Sequence, residues 1–232
     1  MSLLYHILNA LFPRLCFNCN KIVKKEEPFL CAGCFSKILI YQKPFCAICH
    51  ARLANNKKIC HKNAQYILTA ATAYEDLIKK LIWNLKYNKK LTAAEPLKKI
   101  TEVYFNNLTN LTSPVELIIP IPLHPTKERQ RGFNQSVLIA KTIAKKLNLP
   151  IIENCLIKIK NTSPQMELKN REERAKNIWQ SFIIKNPADI TGKNILLVDD
   201  VTTTGSTFVE AAKTLKSAGA KKIIAFAIAK VG

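Results

Sequence analysis

Residues 195–207 read Ile195-Leu-Leu-Val-Asp-Asp-Val-Thr-Thr-Thr-Gly-Ser-Thr207, an apolar run that meets two carboxylates and then a hydroxyl-rich loop around one glycine. Ile195 to Val198 are aliphatic without a polar interruption, the pattern of a strand covered on both faces in a parallel sheet. Thr203 to Thr207 precede Phe208-Val-Glu-Ala-Ala-Lys-Thr-Leu-Lys, which has the spacing of an amphipathic helix. At such a strand-to-helix junction, free backbone N–H groups and the helix dipole favour an anion. The hydroxyls of Thr203, Thr204, Ser206 and Thr207 add donors, and Gly205 lets the backbone approach a ligand closely.

Asp199 and Asp200 would repel a bare phosphate. They suit a ligand that carries hydroxyls, or a divalent cation, beside its phosphate. A ribose 5-phosphate offers both hydroxyls and phosphate. The plainer reading is a buried strand followed by a Thr-capped helix with one Asp solvated. A Walker P-loop is excluded, because no Gly-Lys-Ser/Thr follows the strand. The stretch resembles the phosphoribosyl pyrophosphate signature of type I phosphoribosyltransferases. That resemblance implies that Asp199 and Asp200 contact the ribose hydroxyls, and that Thr203, Thr204, Gly205, Ser206 and Thr207 hold the 5-phosphate.

Working outward, apolar runs predict strands over 68–74, 115–120, 156–160, 182–185, 194–199 and 222–229. They alternate with helical patterns over 76–85, 92–106, 134–147 and from 208 onward, which implies a doubly wound parallel α/β sheet. Its ligand crevice should lie beyond the C-terminal strand ends, where both Pro120-Ile-Pro-Leu-His124 and Asp199-Asp200 fall. Lys127, Arg129, Arg131, Asn134 and Gln135 form a basic loop that caps the next helix. Its cations suit a pyrophosphate or a nucleic-acid backbone, and equally a solvated charge cluster. A second polar segment, 162–177, mixes turn formers with Arg171 and Arg174 and reads as easily as a surface loop and helix.

Seven of the eight cysteines fall within residues 16–60, as Cys16-x-x-Cys19, Cys31-x-x-Cys34, Cys46-x-x-Cys49 and Cys60-His61. The pairs recur about every fifteen positions, each two or three residues after Pro13, Pro28 or Pro44. This spacing lets two thiolates grip one tetrahedral ion and favours Zn²⁺ over disulfides. Consecutive knuckles give a first site of Cys16, Cys19, Cys31 and Cys34. Cys46, Cys49 and Cys60 make a second set, with Asn63 where a fourth cysteine would stand and His61 or His50 able to complete it. A second set without metal, and a cross-braced pairing of the first knuckle with the third, are the alternatives. Four protein ligands leave no open position, so the zinc is expected to be structural.

The chain has 232 residues, 48% of them hydrophobic, enough for one sizeable core and a small appendage. Its net charge of +20 points to polyanionic partners or to a lysine-rich solvated surface. Residues 1–68 carry ten basic and two acidic side chains, so the excess is densest there. No apolar run approaches the roughly twenty residues of a membrane span. Residues 2–12 are apolar without a basic flank or cleavage site, which predicts a short amphipathic helix packed on the body rather than a secretory signal. Two domains are expected, a zinc-knuckle domain over 1–67 and a phosphoribosyltransferase-like domain over 68–232.

Pro120-Ile-Pro-Leu-His-Pro125, Arg131-Gly-Phe-Asn-Gln135, Thr162-Ser-Pro-Gln165, Arg171 to Asn177 and residues 195–207 occur, after the cysteine knuckles, in the order found in the ComF family of competence proteins. The chain resembles that family over nearly its whole length, departing at Cys60-His-Lys-Asn63. The resemblance implies an α/β, type I phosphoribosyltransferase-like parallel sheet with a small N-terminal zinc-binding domain. It also implies a role in natural transformation, handling incoming single-stranded DNA in the cytoplasm or at the inner face of the inner membrane, beside DNA-translocation machinery. Phe17, Phe29, Phe35, Tyr41 and Phe45 near the knuckles either stack on bases or fill the small core. The rival expectation is a working phosphoribosyltransferase that uses phosphoribosyl pyrophosphate with Mg²⁺. No residue presents itself as a general base.

Overall fold

The computed structural model describes residues 12–53, 60–107, 114–163 and 170–232. Positions 2–11 of the expected N-terminal helix, and Pro164 and Gln165, lie outside them. The sheet is assembled from β2 (Ile67–Ala73), β3 (Leu117–Pro120), β6 (Asn194–Thr202) and β7 (Lys222–Lys230). These four run parallel in the order β2-β7-β6-β3. A parallel bridge between Ile118 and Ile151 continues the sheet past β3. On the far edge, the short strand β1 (Phe45–Cys46) pairs antiparallel with β2, Phe45 opposite Leu68. The cysteine-rich region therefore adds a strand to the large sheet.

Alternation of side chains along the strands sorts the core into two layers. Ile195 and Leu197 of β6, with Ile223 and Ala225 of β7, pack under Phe208, Ala211, Ala212 and Leu215. Those four belong to α7, which here denotes Ser206–Ser217. Leu196, Val198, Ile224 and Phe226 face the opposite way. There they meet α2 (Asp76–Lys86), α3 (Ala94–Asn107) and α5 (Gln135–Leu147) through Leu81, Ile100 and Ile143. The apolar stretches Ile195 to Val198 of β6 and Ile223 to Ala229 of β7 are buried on both faces, as an uninterrupted apolar run requires.

Two expectations are corrected. The runs expected over 156–160 and 182–185 do not join the parallel sheet: β4 (Leu156–Lys158) and β5 (Phe182–Ile184) pair antiparallel as a separate ribbon. Runs as short as Leu156-Ile-Lys158 and Phe182-Ile-Ile184 carry no information on which neighbour they pair with, and burial of Leu156 and Phe182 against α7's layer satisfies them without the sheet. The strand expected to stop at Asp199 continues to Thr202, because Val201 and Thr202 still pair with Ala229 and Lys230 of β7. The basic loop is itself partly helical, as α4 (Pro125–Arg131). Pro125 stands at its first turn, His124 caps it, and Gly132 closes it with φ 86°. The remaining helices are α1 (Ala32–Phe35) in the first ribbon and α6 (Arg171–Ile178).

Candidate functional site

From β3 the chain moves to one side of the sheet, toward Ile151, and from β6 to the other, toward β7. The carboxyl ends of β3 and β6 thus flank a topological switch point, where a parallel sheet opens a crevice. A cleft of about 410 Å³ occupies it, lined by Asp199, Asp200, Thr203, Gly205, Ser206 and Thr207 among others.

Because β6 includes both aspartates, they face opposite layers. Asp200 turns toward α2, whose last residue, Lys86, places its Nζ 2.9 Å from Oδ1 and 2.7 Å from Oδ2 of a buried carboxylate. Burial alone would lower the Lys86 ammonium, but Asp200 and then Asp199 outweigh it and hold it above the usual lysine value. Asp199 accepts a hydrogen bond from Ser136 Oγ at 2.8 Å and from the Asp200 N–H at 2.9 Å. Burial, and then the neighbouring Asp200 charge, push its carboxyl up to about 6. The sequence pairs these carboxylates as equals; the fold gives Asp200 a lysine counter-ion and Asp199 a serine hydroxyl, with both lining the cleft.

The loop after β6 is short. Gly205, φ 75°, caps α7, and Ser206 and Thr207 are already its first turn, so the helix N-terminus points into the cleft. Thr204 is not among the lining residues; its hydroxyl lies 2.8 Å from that of Ser206. Behind the loop, a Cβ at Gly205 would meet the Tyr66 hydroxyl at 2.8 Å and His50 Nε2 at 3.8 Å. Tyr66 donates to the Gly205 carbonyl at 3.4 Å, and His50 directly follows the knuckle cysteine Cys49.

From the basic loop, Lys127, Arg131 and Gln135 line the cleft, while Arg129 is exposed outside it. Lys127 donates to the Thr162 carbonyl, and Arg131 to Gln135 Oε1. Asn134 is buried: it caps α5 through the Ser136 N–H and donates to the Ile121 carbonyl at 3.0 Å. It fixes the loop to the end of β3 rather than facing a ligand. Lys158, on the ribbon, joins the cleft wall; burial and then nearby Lys127 lower its ammonium to about 8. Lys86, Lys127, Arg131 and Lys158 thus surround the two carboxylates, and the whole suits an anionic sugar ligand. Lys86, Ser136 and Lys158 carried no sequence signal, being ordinary residues brought in by tertiary packing.

The knuckles gather into two sets, Cys16, Cys19, Cys31 and Cys34, and Cys46, Cys49, Cys60 and His61, each with its ligand atoms within 4.8 Å of one another. Four sulfurs about 2.3 Å from a tetrahedral ion stand roughly 3.8 Å apart. Cys19 and Cys31 are separated by 3.7 Å, as are Cys49 and Cys60, whereas Cys46 Sγ lies 3.3 Å from His61 Nδ1. These spacings fit zinc and exclude disulfides. The cysteines gather consecutively rather than in a cross-braced way, and His61 is the fourth group that stands with Cys46, Cys49 and Cys60. Burial raises the Cys16 thiol, but N–H groups of Cys19, Cys31 and Asn18 outweigh it and hold it at about 6. The aromatic rings beside the knuckles pack inward: Phe45 is buried, Phe17 meets Phe29 edge-on, and Tyr41 meets Phe45.

The family model of the phosphoribosyl transferase domain matches residues 134–232, and that of the double zinc ribbon domain matches residues 7–64. Competence protein F of Haemophilus influenzae is 26% identical, covering 93% of this chain and 96% of its own. The DNA utilization protein YhgH of Escherichia coli is 26% identical over 91% of this chain and 94% of its own. Competence protein ComFC of Bacillus subtilis is 24% identical, covering 89% of this chain and 79% of its own. The double ribbon and the two donor clusters support structural zinc. Among the described residues, no helix is long and apolar enough to cross a membrane.

Proposed function

The chain belongs to the ComF family of competence proteins, a double zinc ribbon joined to a phosphoribosyl transferase domain, and from that premise we propose that it handles incoming single-stranded DNA during natural transformation. The cleft is its phosphorylated-sugar site, taking phosphoribosyl pyrophosphate or a nucleotide end. The observation that carries this reading is the cleft's composition: the Asp199 carboxylate and a helix N-terminus inside a ring of Lys86, Lys127, Arg131 and Lys158. Asp199 accepts from ribose hydroxyls while the N–H groups and hydroxyls after Gly205 receive the phosphate. Zinc is structural in both ribbons, with Cys16, Cys19, Cys31 and Cys34 on the first ion and Cys46, Cys49, Cys60 and His61 on the second. The protein works at the cytoplasmic face of the inner membrane, beside the DNA-translocation machinery.

Isothermal titration with ribose 5-phosphate and phosphoribosyl pyrophosphate tests the pocket. Asp199→Ala and Thr207→Val are expected to weaken both ligands at least tenfold and to depress transformation. Unchanged binding in both variants would remove the pocket from the account. For DNA, fluorescence anisotropy should show affinity falling steeply between 50 and 200 mM salt, on the order of a hundredfold or more.

A second reading, phosphoribosyl transfer to an acceptor, is favoured by one observation: Asp199 is held at about 6, where a carboxylate can take a proton near neutral pH. Magnesium bound with the pyrophosphate would supply charge neutralisation, and Asp199, which among the described residues makes no direct ion pair with a lysine, is the carboxylate placed to meet it. Release of pyrophosphate on adding candidate acceptors would establish turnover.

A further inference from the structure

Two aromatic rings stand at the rim of the cleft with no core to fill. Trp83 and Tyr87, one turn apart at the C-terminal end of α2, are 48% and 45% exposed, and their ring centroids are 4.3 Å apart. Both line the same cleft as Asp199, Asp200 and Gly205. Lys86, the counter-ion of Asp200, sits between them in sequence and reaches inward while they face outward. The residues beside the pair are cationic: 77–94 holds five lysines (Lys79, Lys80, Lys86, Lys89, Lys90) and no acidic residue. Of these, Lys89 lines the cleft, and Lys79, Lys80 and Lys90 are exposed.

An i, i+4 aromatic pair adds only a few tenths of a kcal/mol to a helix, so helix stability alone does not account for leaving two large rings in water. Flat rings interleaved with cations are the chemistry that receives a nucleobase while its backbone is held electrostatically. Of the rings beside the zinc knuckles, Phe17, Phe35, Tyr41 and Phe45 pack against the core, and Phe29 is half-buried beneath the Arg14 guanidinium and against Phe17.

We propose that Trp83 and Tyr87 form a stacking platform for a base of single-stranded nucleic acid, with Lys79, Lys80, Lys89 and Lys90 drawing in its phosphates. The platform lies at the mouth of the sugar-phosphate cleft, so a strand end seated in the cleft presents its adjoining base to Trp83. This rests on the reading of the chain as a single-strand-handling protein, and adds to it the residues that meet the bases.

The chain has two tryptophans, Trp83 and Trp179, so Trp179→Phe leaves Trp83 as the sole indole reporter. The zinc-loaded full chain carrying that change is titrated with a labelled oligothymidylate and with an abasic strand of equal length, following both anisotropy and indole emission. The intact strand should quench Trp83 and the abasic strand should not. In a background with both tryptophans, Trp83→Ala and Tyr87→Ala should each weaken the intact strand roughly 5- to 100-fold while leaving the abasic strand unaffected. Trp83→Phe should restore most of the affinity. Binding of the intact strand without quenching, or equal quenching by the abasic strand, overturns the platform and leaves DNA handling standing. Absence of any binding at low salt overturns both.

Discussion

In the first ribbon, Cys16, Val23, Leu30 and Cys34 make a small core of their own that leans on the rest of the molecule through Phe35, Ile38 and Leu77. In the second, Cys46 is a residue of β1 within the large sheet, and the turn that follows delivers His50 to the back of the Gly205 loop. The donor sets are nearly the same, yet the surroundings differ. A metal in the first ribbon closes a piece too small to fold alone. One in the second would also fix the sheet's edge and the wall behind the Gly205 turn. Ligand chemistry identifies a zinc site, but only its embedding says what is lost with the ion.

The largest expected effect comes from emptying the second ribbon. Cys46→Ser should cost about 3–5 kcal/mol, read as a fall in Tm of roughly 6–15 °C, and should weaken ribose 5-phosphate at the loop. Cys19→Ser should release one zinc ion and leave that affinity within about twofold. Equal loss of sugar-phosphate binding in the two variants would erase the distinction between the ribbons.

Asp199, whose partners Ser136, Asp200 and Lys86 belong to neither ribbon, supplies the control. Asp199 is raised to about 6 from an ordinary 3.8, so between those values the folded protein holds a proton that the unfolded chain has released. Stability contributed by this group is present at low pH and is lost as pH rises through 6. Asp199→Asn, which keeps the acceptor for Ser136, should stabilise by about 2 kcal/mol at pH 7.5 and by about half as much at pH 5. Denaturant melts at the two pH values check it, and the gain should persist in the Cys19→Ser background.

The smallest effect probes the contact between the second ribbon's side of the molecule and the loop. Gly205→Ala carries a positive φ and approaches the Tyr66 hydroxyl, and is expected to destabilise by about 1–2 kcal/mol. Adding Tyr66→Phe should recover only the steric part, so the pair departs from additivity by about 0.5–1 kcal/mol in a double-mutant cycle. Strict additivity would mean that the wall does not press on the turn.

Contiguous features were the legible ones. The run from Ile195 to Thr207 carries strand, carboxylates, turn and helix start within one window, and the knuckle spacing carries the seven cysteines of the two sets, while the choice of His61 over His50 comes only with the fold. What could not be read is what tertiary packing decides. Lys86 is one of 36 basic side chains until α2 docks and aims it at Asp200. The opposed directions of Asp199 and Asp200 depend on β6 extending to Thr202, which rests on pairing with Ala229 and Lys230 far along the chain. The ribbon of β4 and β5 is not legible in the sequence, because strands of three residues look alike in either pairing.

The order of synthesis gives the pairing of β1 with β2 a further consequence. Ile67–Ala73 is an apolar strand whose inner partner, β7, is translated some 150 residues later, yet its outer side is covered by chain that has already emerged. The Tyr41 N–H reaches the Ala71 carbonyl at 2.8 Å, the Thr72 hydroxyl reaches the Leu39 carbonyl at 2.8 Å, and β1 completes the row. A nascent strand with one flank guarded offers neighbouring chains on a polysome one unpaired edge rather than two. The donors of the second ribbon, Cys46, Cys49, Cys60 and His61, all precede β2 as well, so the edge and the groups that would hold its metal are made before β7 exists.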